Sequence, residues 1–111
     1  MRKKLRNPEP KKAGNYVTKF QAELWKYQGK AAWFFVTVPH EESLQIKYRN
    51  LLSVRGWGSI PVDVTIGETS WRTSIFPEAK SGCYILPIKK EVRKKENLSE
   101  DSLISIALYT D

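Results

Sequence analysis

Ser59-Ile60-Pro61-Val62-Asp63-Val64-Thr65-Ile66-Gly67 alternates without a break. Ile60, Val62, Val64 and Ile66 fall on one face and Pro61, Asp63 and Thr65 on the other, the period of two that a half-buried strand requires. Gly67-Glu68 then turns the chain into residues 69–76, where Trp71, Thr73 and Ile75 share a face, so the two runs predict a hairpin. Across that turn Asp63 opposes Arg72, which predicts a cross-strand ion pair.

Outward from the hairpin, further short strands appear. Tyr16, Thr18, Phe20, Ala22 and Leu24 alternate with Lys19, Gln21 and Glu23, predicting a strand over 16–25 that turns at 26–30. Residues 31–38 (AAWFFVTV) are β-branched and aromatic and end at Pro39, a second strand. The period then changes. Leu44, Tyr48, Leu51 and Leu52 fall at i, i+4, i+7 and i+8, with Glu41 and Glu42 where a helix dipole favours negative charge. Pro39 suits the start of that helix and Arg55-Gly56-Trp57-Gly58 its end.

After a polar loop at 77–82 come a strand at 83–86, Pro87, a short basic helix over 88–96, and a last strand at 103–109. Each half therefore runs strand, strand, Pro, helix, strand, a pseudo-duplicated β-β-α-β pattern whose register Pro39 and Pro87 mark. The fold class predicted is all-β with two short helices. Six strands bury their apolar faces and remove most of their edges by curling into a closed or nearly closed, double-split barrel over residues 15–111.

Composition narrows the function classes. The 111 residues are 41% hydrophobic and 28% charged, ordinary globular material for one core. The longest apolar run, 31–38, is less than half of the roughly 20 residues a membrane span needs, so no membrane partner is expected. The opening Met1-Arg2-Lys3-Lys4-Leu5-Arg6-Asn7-Pro8 carries positive charge without a following apolar stretch, so secretion is not expected and the compartment reads as cytoplasmic. One Cys (Cys83) and one His (His40) supply neither a disulfide nor a zinc ligand set, and no cofactor is expected. The net charge of +7 invites a nucleic-acid partner, yet Arg2, Lys3, Lys4, Arg6, Lys11 and Lys12 against Glu9 place +5 of it in residues 1–12. Residues 1–14 read as a basic, flexible tail.

Three blocks carry a family resemblance: residues 56–67 (GWGSIPVDVTIG), 71–77 (WRTSIFP), and 82–89 (GCYILPIK) with Val92-Arg93. In order and spacing they resemble the bacterial and archaeal family called domain of unknown function 1905, over roughly residues 16–111. The resemblance implies a small double-split β-barrel and no established activity. One departure is Glu100-Asp101, where the family has Gly-Asp before the last strand. Residues 84–106 also resemble the half-unit of the AbrB and MazE swapped-hairpin DNA-binding proteins, which run strand, Pro, short helix with an Arg, acidic turn, strand.

Candidate sites have a plain structural account beside each functional one. Lys89, Lys90, Arg93, Lys94 and Lys95 form a basic cluster that is either solvated helix surface or, with the tail, a phosphate-binding face. Arg72 and Ser74 share a strand face; Arg72 either pairs with Asp63 or, with Trp57 and backbone amides near Gly56 and Gly58, receives a small anion. Cys83 sits in a buried-strand pattern as a small hydrophobe, and His40 follows Pro39 at a helix start. No motif of a phosphate-cradling loop, nucleophile elbow or metalloprotease appears.

The leading expectation is thus a non-catalytic binding module for a small molecule or protein. The alternatives are an AbrB-like nucleic-acid binder using helix 88–96 and the tail, and an anion site or enzyme around Arg72 and Trp57. The expected oligomeric state is a monomer or weak dimer.

Overall fold

The computed structural model describes residues 16–29, 31–51 and 58–110; the expected 1–14 tail, Gly56 and Trp57 lie outside the described residues. The elements in chain order are β1 (Tyr16–Glu23), β2 (Trp25–Lys26), β3 (Phe34–Thr37), α1 (His40–Arg49), β4 (Ile60–Ile66), β5 (Thr69–Glu78), β6 (Cys83–Pro87), α2 (Lys90–Lys95) and β7 (Leu103–Thr110). The all-β class with two short helices holds. The strands form one curled, antiparallel half-barrel in the order β1-β7-β4-β5-β6-β3-β2.

The expected six-stranded closed barrel is corrected to this seven-stranded open one, and the correction turns on Leu24. The alternation of 16–25 runs straight through it, but its N–H donates to the Ser102 carbonyl and its own carbonyl accepts from Asp101 N–H. Beyond that point the chain leaves β7 and pairs Trp25 with Phe35. One long run thus becomes two strands, at opposite ends of the strand order yet joined through a single residue. The ring of ladders does not close there. α1 packs in that region, its Arg49 Nη2 donating to Thr18 Oγ1 on β1 at 3.1 Å.

β4 is the most regular strand. Ile60, Val62, Val64 and Ile66 are all buried while Pro61, Asp63 and Thr65 are half-buried. Each fully buried aliphatic side chain contributes about 1.5–3 kcal/mol of transfer free energy. These four join Leu24, Val36, Ile46, Ile75, Leu86, Ile88, Val92 and Leu108 in one continuous core. The hairpin register is as the alternation requires, with Asp63 opposite Arg72 and Ile66 opposite Thr69. Gly67 takes φ +58 in the turn, a left-handed conformation that costs L side chains about 1–2 kcal/mol. Glu96, at the end of α2, fastens that turn by accepting from Glu68 N–H and from Thr69 Oγ1.

α1 corrects the sequence reading of its packed face. Of the expected stripe, Leu44, Tyr48 and Leu51 are exposed and Leu52 lies outside the described residues, while the buried positions are Ser43, Ile46 and Asn50. Ser43 explains this orientation, since its hydroxyl donates to the Val38 carbonyl and accepts from Tyr84 N–H. The helix is thereby docked through a buried polar link that hydrophobic periodicity does not register. It also ends earlier than expected, at Arg49, where Asn50 Nδ2 donates to the Ile46 carbonyl at 2.8 Å.

α2 ends in a Schellman motif, with Leu98 N–H on the Arg93 carbonyl, Asn97 N–H on that of Lys94, and Asn97 left-handed at φ 56. The turn before β7 survives the Glu100-Asp101 departure because Asp101 itself adopts φ 74.

Strand pairing has an exchange symmetry. If β1 with β2, β3, α1 and β4 form one half and β5, β6, α2 and β7 the other, β1 pairs β7 as β5 pairs β4. Likewise β2 pairs β3 as the end of β5 pairs β6, while β3·β6 and β4·β7 map onto themselves.

Candidate functional groove

The β5·β6 ladder covers only Phe76–Glu78 opposite Cys83–Ile85, after which β6 turns away to pair with β3. Residues 71–73 of β5 are thus held by β4 on one side and have no strand partner on the other. A groove of about 480 Å³ opens along this gap. Its walls are Trp33 and Phe34 at the start of β3, Trp71, Arg72 and Thr73 on β5, and the stretch from Pro87 through Lys89, Lys90 and Arg93.

The lining joins two groups of candidates that are far apart in sequence. Arg72 and three of the five basic residues around α2 (Lys89, Lys90, Arg93) share one hollow, and among the described residues no carboxylate lines it. Arg93 is fixed: its Nε donates to the Ile88 carbonyl at 3.1 Å and its guanidinium lies 4.0 Å over the Phe34 ring. A guanidinium so oriented loses less freedom on meeting an anion than a free one does. Arg72 is less enclosed. Its Nη1 donates to Asp63 Oδ2 at 2.8 Å, the ion pair expected from the hairpin, but its side chain is 57% exposed.

The other candidates stand elsewhere. Lys94 and Lys95 are exposed on α2 away from the groove, and Ser74 is half-buried opposite Pro61. Gly58 lines a second, smaller hollow of about 240 Å³ with Ser43, Leu44, Leu51, Pro77, Cys83 and Tyr84, so it does not meet Arg72. Burial pushes the Tyr84 phenol above its ordinary value of 10.0.

Sequence reasoning missed two arrangements. Cys83 Sγ lies 4.0 Å from His40 Nδ1, although the two are 43 positions apart. A nucleophilic thiolate needs an accessible, electropositive setting, and Cys83 is buried. The second is Trp33, 53% exposed at the groove's edge. The alternation of Trp33 and Phe35 against Phe34 and Val36 was the available signal, since it sends two aromatic rings to one face together. Among the described residues, no group of three His, Cys, Asp or Glu is placed to hold a metal ion. No described helix is long and apolar enough to cross a membrane.

Among curated proteins, none matches the chain. Residues 20–108 match a family described as "Domain of unknown function (DUF1905)", which covers both walls of the groove and every described strand apart from the first half of β1 and the end of β7; the chain belongs to that family.

Proposed function

We propose that the chain is a non-catalytic binding module whose site is the groove between β5 and the β6–α2 segment, and that its ligand carries negative charge. One observation carries the reading: four cationic side chains converge on a partly apolar hollow that, among the described residues, no carboxylate lines. Concave, mostly apolar sites with a few convergent polar groups are the usual form of ligand pockets. Here every described ionisable lining group is a Lys or Arg, which suits anion capture rather than acid–base exchange. Asp63 stands just outside, where it occupies Arg72 until a stronger anion competes.

Supporting a finer architecture is the exchange symmetry of the strand pairs. It favours two β-β-α-β halves in a double-split barrel, the arrangement that the swapped-hairpin proteins build from two chains. A single buried thiol, Cys83, accords with a reducing, cytoplasmic setting.

The test is isothermal titration with tripolyphosphate at low salt, using the full chain and the Lys89→Glu/Lys90→Glu variant. Both lysines are exposed, so the variant keeps its fold. The expected result is saturable binding that weakens at least tenfold in the variant and falls with salt. No binding at low salt, equal binding by the variant, or turnover of the ligand overturns the proposal.

A further inference from the structure

We propose that the anion this groove takes is the backbone of single-stranded nucleic acid, with bases stacking on Trp33; the inference rests on the anion-groove reading and names its ligand. The outer face of the β2–β3 ribbon carries a cluster of aromatic rings around Phe35. Trp33 stacks on it with centroids 6.0 Å apart and planes 12° from parallel. Trp25 lies tilted against it at 5.1 Å, and Tyr27 meets it edge-on at 6.4 Å.

These rings are held in place before any ligand arrives. Trp25 Nε1 donates to Thr37 Oγ1 at 3.0 Å, and Tyr27 N–H donates to the Trp33 carbonyl at 2.8 Å. Gly29 lies so close to the Tyr27 ring that a Cβ there would displace it. Phe35 backs one face of the Trp33 indole, yet Trp33 is 53% and Tyr27 50% exposed. Neighbouring exposed rings on an edge ribbon are a binding surface more than a packing one.

What distinguishes this surface from a generic sticky patch is charge. Trp33 also lines the groove that holds Arg72, Lys89, Lys90 and Arg93. A planar, uncharged group stacked on Trp33 and a negative group in the adjoining groove describe a base and its phosphate. Proteins that take single strands combine these two features, a cationic track and aromatic stacking platforms. Tyr27 and Trp25 extend the aromatic surface beyond the groove, so it suits a strand of several units better than one nucleotide. The half-barrel's ribbon, not the α2 helix alone, is then the recognition element, and duplex DNA with its bases already stacked has no use for it.

The experiment measures binding of fluorescein-labelled (dT)12, an abasic 12-mer of equal charge, a 12-base-pair duplex, dTMP and an acidic (Glu-Tyr)6 peptide to the full chain at low salt. The expected result is (dT)12 tightest, with the abasic strand and dTMP each at least tenfold weaker. Trp33→Ala is expected to reduce (dT)12 affinity about tenfold while reducing affinity for the abasic strand far less, and Trp33→Phe to restore most of the loss. Equal affinity for (dT)12 and the abasic strand, a tighter duplex, tighter dTMP, or a peptide that binds as well overturns the inference. The arms separate the two readings. Failure of the anion groove appears as tripolyphosphate affinity indifferent to Lys89→Glu/Lys90→Glu, whatever the base-dependent arms give.

Discussion

Removing Asp63's charge is expected to improve anion binding, a gain of function from deleting an ion pair. Arg72 is the one groove cation with a carboxylate partner, 2.8 Å away, while Lys89, Lys90 and Arg93 have none among the described residues. With the arginine side chain 57% and the aspartate 15% exposed, the pair is largely screened by water. Such pairs contribute about 0–1 kcal/mol, so Asp63→Asn costs no more than that in stability. The same quantity is what an incoming anion no longer has to displace, so affinity for tripolyphosphate rises up to about fivefold, 1.4 kcal/mol being tenfold. Arg72→Ala acts oppositely, losing a charge-assisted contact and about tenfold in affinity. In the double variant the Asp63 effect vanishes, because there is no guanidinium left to release. Titration calorimetry with thermal unfolding of all four proteins reads each number. If Asp63→Asn leaves affinity unchanged while Arg72→Ala only lowers the melting temperature, Arg72 is a structural partner of β4 and the groove closes its argument without it.

Three further outcomes test the fold beneath the site. Gly67→Ala is expected to destabilise by about 2 kcal/mol, since φ +58 disfavours a side chain and its Cβ would collide with the Glu96 carboxylate; chemical denaturation checks it, and a loss under 0.5 kcal/mol contradicts the fastening role of Glu96. Ser43→Ala strips the buried link between the Val38 carbonyl and Tyr84 N–H and is expected to cost about 2–4 kcal/mol, or roughly 10 °C or more in melting temperature, whereas Leu44→Ala on the exposed stripe costs little. Because burial raises the Tyr84 phenol above 10.0, folding favours its neutral form: the stability it contributes is full below pH 10 and is lost as pH rises through the raised value. Tyr84→Phe is expected to flatten that alkaline decline in melts taken between pH 8 and pH 11, and an unaltered decline assigns it to other groups.

The β4–β5 hairpin was legible in the sequence because everything that determines it is local. Alternation sets the faces, Gly67 the turn, and the two together the Asp63–Arg72 register. α1 was legible as a helix and not in its orientation. Its apolar stripe of Leu44, Tyr48 and Leu51 meets the usual criterion for a buried face, yet a serine hydroxyl satisfying two backbone groups from different strands decides which side docks. Such a link gains its value from the partners' burial, and those partners, Val38 and Tyr84, lie outside any helical window. Leu24 is a similar case. Nothing in the run from Tyr16 to Lys26 marks a break, because the break consists only of a change of partner from β7 to β3.

The groove follows the same logic one level higher. Arg72 and the cations beside Pro87 were each visible as residues, but their meeting depends on β6 departing from β5 after three paired positions. A regular ladder continued past Phe76 would bring a strand alongside Trp71 to Thr73 and leave no hollow. β6 departs because Phe35 and Thr37 on β3 claim Pro87 and Ile85, and because Ile88 N–H is held by the Phe34 carbonyl. The contacts that open the groove are thus made by β3, the strand that also positions Trp33 and Phe35. A substitution that loosens β3 therefore disturbs the cationic wall and the aromatic platform together, whereas one at Lys89 removes charge and leaves the rings, and one at Trp33 removes a ring and leaves every charge, which is why the paired variants can tell charge from stacking.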